Sequence, residues 1–168
     1  VVGAAPPDTI VEAADEPSID TVATVPCGEV IDAVAAPPEG WVTILDAVAL
    51  PNRRLDTHRY DDTSLFAKTG LLVRADTTVE LVLPADEPHR FRWGWSPRPM
   101  TRLRIHDCRG VGEVNVPRRG RLADRDWVVF PGGFIVPEPT CVRLVVRRGD
   151  TEAALPVEVG AACPSSDA

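Results

Sequence analysis

Seventeen prolines and twelve glycines are scattered along 168 residues, an unusual load of residues that disfavour helix interiors. Each proline removes a backbone donor and clashes with the preceding turn, so a bundle of long helices is disfavoured. Between the breaks lie short, valine-rich runs bounded by Pro, Gly or Asp, which is the pattern of strands. The candidate strands are 29–36, 41–50, 70–74, 78–83, 89–95, 101–107, 127–130, 134–136, 141–147 and 153–159. The pattern predicts an all-β chain, an antiparallel β-sandwich of immunoglobulin-like or jelly-roll type over residues 27–163. Residues 1–26 read as an acidic, Ala/Pro-rich linker or tail, 51–69 as a long polar loop and 164–168 as a C-terminal tail.

Alternation assigns the faces. Phe91, Trp93 and Trp95 share one side of their run, with Arg90 and Arg92 on the other, while Leu103 and Ile105 oppose Arg102, Arg104 and His106. The short connection Ser96–Met100 joins these runs as an antiparallel hairpin, gathering Arg90, Arg92, Arg102, Arg104 and His106 on one exposed interaction surface. Pro131-Gly132-Gly133 reads as a tight turn or bulge between two strands.

The charge is unevenly divided. The formal net charge is −7, yet residues 1–52 hold nine acids and no Lys or Arg, so the remainder carries +2. The acidic segment is a solvated spacer or docks on the arginine face. With no basic run and no recognised motif, a nucleic-acid partner is not expected; the expected partner is a protein, itself acidic or membrane-associated. No apolar stretch approaches the length of a membrane-spanning helix.

Four cysteines, Cys27, Cys108, Cys141 and Cys163, are widely separated, without the C-x-x-C spacing of zinc or redox motifs. An even number in this arrangement suits two disulfides in an oxidising compartment. Of the three pairings, Cys108–Cys141 with Cys27–Cys163 is preferred, because the latter would clamp the ends of the folded region. An extracytoplasmic location follows, secreted or attached to the cell envelope.

Trp93 and Trp95 carry an alternative: sugar rings stack on exposed indoles, although their shared face with Phe91 favours core packing. Asp56, His58, Asp61 and Asp62 place oxygen and imidazole groups close together, but without the glycine and spacing of a calcium loop. No metal or cofactor is expected. None of the five serines lies in a nucleophile motif and no phosphate-cradling glycine loop occurs, so an enzyme is not expected.

The segment Trp127-Val-Val-Phe-Pro-Gly-Gly-Phe-Ile-Val136, followed by Cys141-Val-Arg-Leu-Val-Val146 and Val159-Gly-Ala-Ala-Cys163, resembles a pattern in uncharacterised exported proteins of actinobacteria. Lys68-Thr-Gly-Leu-Leu-Val-Arg74 is similar to the same group. The resemblance spans about residues 70–163, implies an envelope or secreted setting and brings no activity or site residues. The sequence thus points to a non-catalytic extracytoplasmic interaction or structural domain in a cell-envelope or membrane-associated assembly. The alternative is a carbohydrate-binding module.

Overall fold

The computed structural model describes residues 21–109 and 126–165, which leaves most of the acidic segment and residues 166–168 of the tail outside the described residues. In chain order the strands are β1 (Ala23–Val25), β2 (Asp32–Val34), β3 (Trp41–Ile44), β4 (Val48–Pro51), β5 (His58–Arg59), β6 (Leu65–Arg74), β7 (Val79–Val82), β8 (Arg90–Trp93), β9 (Arg102–Ile105), β10 (Trp127–Val136), β11 (Thr140–Arg148) and β12 (Thr151–Val159). They form two largely antiparallel sheets packed against each other as a β-sandwich.

One sheet runs β1-β9-β7-β11-β12; the other runs β2-β10-β6-β4-β3, with β5 added to β6 and β8 added to β10. The ten-residue strands β6 and β10 pair along their whole length, from Trp127 opposite Arg74 to Val136 opposite Leu65. At the Leu65 end of this pair the local order is therefore β8-β10-β6-β5. The inward residues of both sheets meet in one core. Trp93, at its centre, packs edge-on against Phe134 with ring centroids 5.1 Å apart and lies 5.1 Å from Phe91. A smaller apolar cluster, Ala49, Leu72 and Trp127 with Trp41, Val34 and Val129 against it, packs separately from that core.

Several expectations change in three dimensions. The run 41–50 is a hairpin: Leu45 and Asp46 take positive φ and fold β4 back on β3. The supposed loop 51–69 contains β5 and the first half of β6. Ala23–Val25, within the segment read as a tail, pairs in parallel with β9. Pro131-Gly132-Gly133 lies inside β10 rather than at a turn. Pro131 is tolerated there because its carbonyl accepts the Gly94 amide at 2.8 Å, so its nitrogen faces the same edge, in the gap between β2 and β8 where no ladder bond is lost. A Cβ on Gly132 would overlap the Arg92 carbonyl oxygen, and one on Gly133 the Ala67 carbonyl oxygen.

The expected β8–β9 hairpin also opens up. Phe91 and Met100 exchange backbone hydrogen bonds, both 3.0 Å, but then β8 joins β10 and β9 joins β7 in the opposite sheet. The chain crosses between sheets at this point.

The disulfides are Cys27–Cys108 and Cys141–Cys163, which corrects the preferred pairing. Parallel strands β1 and β9 leave the sheet at the same end and bring Cys27 and Cys108 to a Cα separation of 5.5 Å. Cys141 opens β11, which runs in the same direction as β9, so it lies at the opposite end of the sheet from Cys108. Its neighbour is the chain leaving β12: Gly160, with φ 73°, turns that chain back and sets Cys163 4.8 Å from Cys141 between Cα atoms.

Candidate functional site: the Trp95 groove

Period-two alternation would bury Trp95 beside Trp93, but it fails at Gly94. Gly94 has φ 79°, in the left-handed region that favours glycine, and a Cβ there would overlap the Glu29 carboxylate. The kink buries Trp93 completely and leaves Trp95 65% exposed. Trp93 is thereby removed from the sugar-binding pair and Trp95 is retained.

The indole is exposed while four polar groups of the backbone around it are held. The amides of Trp95 and Ser96 donate to the two oxygens of Glu29, each at 2.7 Å. Arg92 Nη2 donates to the Trp95 carbonyl at 2.9 Å, and the Gly94 amide is held by Pro131. Charge-assisted bonds of this kind are roughly twice as strong as neutral ones.

Trp95 and Arg92 form one side of an open groove of about 340 Å³. Across Pro131 and Gly132 of β10 stand Tyr60 and Phe66, at the β5–β6 end of the same sheet, with ring centroids 5.9 Å apart. Tyr60 is 44% exposed, so this groove collects two of the three large hydrophobic residues exposed among the described residues; Ile31 is the third. Lys68 completes the lining. Register places Arg92, Gly133 and Lys68 in one cross-strand row, with two cations on either side of a residue that has no side chain. Among the described residues neither cation has a carboxylate within 4 Å.

The five residues expected on one arginine face are divided between sheets. Arg90 and Arg92 lie on β8; Arg102 and Arg104 lie on β9 in the opposite sheet, and His106 follows β9, exposed. Arg102 and Arg104 are paired with Glu80, at 2.7 and 3.1 Å, and Arg147 lies 3.5 Å from the same carboxylate. Burial alone would raise the Glu80 pKa, but the hydrogen bonds and charges of Arg102 and Arg104 outweigh it and hold the carboxyl below its ordinary range. Arg147 also pairs with Glu152 at 2.7 Å, so three guanidinium groups share two carboxylates and each is already tied to an acid.

The 56–62 segment has a structural task. The Asp61 carboxylate accepts the Thr63 amide at 2.8 Å and its hydroxyl at 3.0 Å, and the nearby Ser64 hydroxyl together with these bonds holds its pKa below the ordinary value. That turn presents Tyr60 to the groove. Among the described residues no three His, Cys, Asp or Glu side chains form a group that could hold a metal ion.

Tyr60, Phe66 and Lys68 were hidden by the polar-loop expectation. Their signal was the alternation of buried Ala67, Thr69 and Leu71 with outward Phe66 and Lys68, which extends β6 back to Leu65. No family model matches the chain, and no curated protein matches it.

Proposed function

We propose that the chain is a non-catalytic recognition domain that works outside the cytoplasm, secreted or in the cell envelope, and meets its partner at the Trp95 groove. The observation that carries this reading is an indole left 65% exposed on a loop whose backbone is fixed by Glu29, Arg92 and Pro131. An exposed aromatic on a rigid mount binds with little loss of conformational entropy. The groove offers aromatic faces and hydrogen-bond donors, and among the described residues its lining includes no carboxylate, imidazole or thiol. Two disulfides suit an oxidising compartment, and the resemblance to exported actinobacterial proteins agrees. No helix among the described residues is long and apolar enough to cross a membrane.

Of the partner classes open from sequence, a protein and a polysaccharide, the exposed Trp95 favours the polysaccharide. The test is a photo-crosslinking aromatic at position 60, with a control at exposed Arg143 on the opposite sheet. Adducts in the native envelope at position 60 that vanish with Trp95→Ala support the groove. Equal labelling at both positions, or none at position 60, overturns it.

A further inference from the structure

We infer that the Trp95 groove takes an acidic saccharide, one whose rings carry carboxylates, rather than a neutral sugar; this rests on the groove being the contact surface. Neutral sugars present hydroxyls that both donate and accept, and sites for them supply acceptors as well as donors. Among the described residues the charged lining is Lys68 and Arg92, which only donate, and the Tyr60 phenol is the one lining side chain that can also accept. The ligand must therefore be rich in acceptors. Both cations belong to the same row of the sheet, separated by Gly133, and two strand spacings put their Cα atoms roughly 10 Å apart. Gly133 adds no side chain of its own between them, and the Phe66 ring lies over that interval, its Cζ 3.0 Å from where a Cβ on Gly133 would stand.

Arg92 and Trp95 are coupled in one unit, since one guanidinium nitrogen already holds the Trp95 carbonyl at 2.9 Å and its other donors remain for a ligand. A uronic acid matches that unit: its carboxylate is bonded directly to the rigid ring that carries its C–H face, so stacking on the indole and pairing with Arg92 occur together. An acidic, proline-rich peptide would have to join its flat ring and its carboxylate through several rotatable bonds. The groove also lies on a sheet face, where a peptide cannot add as a further strand. The second aromatic pair, Tyr60 with Phe66, and Lys68 stand across β10 for a neighbouring sugar ring.

The experiment titrates the intact protein, followed by calorimetry and Trp emission, with α-1,4-linked tetragalacturonate, with neutral α-1,4-linked tetragalactose and with an acidic proline-rich peptide. The expected result is binding of tetragalacturonate at least about tenfold tighter than of either other probe, weakening as salt is raised. Lys68→Gln should lower that affinity about fivefold or more, and Trp95→Ala should abolish it, with folding unchanged in both. Equal affinity for the neutral tetramer, preference for the peptide, or no binding by any probe overturns the acidic-saccharide inference. If Trp95-dependent adducts still form at position 60 in those cases, the groove itself stands. If Trp95→Ala changes neither binding nor crosslinking, both fall.

Discussion

Glu29 holds the backbone of Trp95 in place across 66 residues of sequence, accepting the Trp95 amide on one oxygen and the Ser96 amide on the other, both at 2.7 Å. The acid sits in a single 3-10 turn, Cys27–Glu29, and that turn is tied to Cys108 beyond the end of β9. The first turn among the described residues is thus the mount for the exposed aromatic. Glu29→Ala should cost about 1.5–3 kcal/mol in urea unfolding, since two charge-assisted bonds are lost. It should also lower the fluorescence anisotropy of Trp95; an unchanged midpoint and anisotropy would show that the clamp is dispensable.

The two disulfides should differ in what they support. By loop-closure entropy, Cys27–Cys108, with a separation of 81 residues, contributes about 4.5 kcal/mol, and Cys141–Cys163, with a separation of 22, about 3.4 kcal/mol. Paired Ser substitutions measured by thermal unfolding test that order. Anisotropy of Trp95 should fall only when Cys27 and Cys108 are replaced. Peptide mapping without reduction should recover these two pairs and no other.

Gly132 and Gly133 should be among the least replaceable residues. An added Cβ meets a neighbouring strand's carbonyl oxygen at each, and backbone cannot move aside cheaply, so either Ala substitution should destabilise by about 3 kcal/mol or more. Gly28 is the control, with nothing within 4 Å of an added Cβ; Gly28→Ala should be neutral or stabilising by up to about 1 kcal/mol. Soluble yield and denaturant midpoints decide, and equal behaviour of the three variants would contradict the close approach.

The neighbouring tryptophans should separate stability from binding. Trp93→Ala empties the centre of the core and should cost about 3–5 kcal/mol. Trp95→Ala should stay within about 0.5 kcal/mol of the parent, as expected of an exposed side chain. A quencher such as acrylamide should lose most of its effect on emission when Trp95 is removed.

His89, only 7% exposed, should make stability pH-dependent. Burial pushes its imidazole pKa below the ordinary value; Glu87, with an oxygen 3.5 Å away, partly offsets this and Arg90 reinforces it. The unfolded chain then takes up a proton near pH ~6.5 that the folded chain resists, so stability falls as pH drops below that value toward the lower folded pKa. Unfolding midpoints between pH 5 and 8 should slope in this direction, and His89→Leu should flatten the slope. A slope unchanged in the variant would assign the effect elsewhere.

The alternation of Arg90-Phe91-Arg92-Trp93 was legible because it is local: whatever sheet the strand joins, Phe91 and Trp93 must turn inward together. The same reasoning failed one step later at Trp95, where the requirement for glycine at 94 comes from Glu29 rather than from any neighbour in sequence. The Leu65 half of β6 was lost because polar residues 56–64 obscured where its alternation begins.

The sequence by itself determined a β-sandwich, the inward set of most strands, an even set of cysteines suited to disulfides and a division of charge, all consequences of composition and of period two. Tertiary structure alone decided which strands share a sheet, and with that the rest. Because the chain crosses between sheets after Trp95, Arg102 and Arg104 face Glu80 while Arg92 faces the groove. Because β1 runs parallel to β9, Cys27 meets Cys108. Such neighbours are set by the path of the whole chain, which no local pattern records.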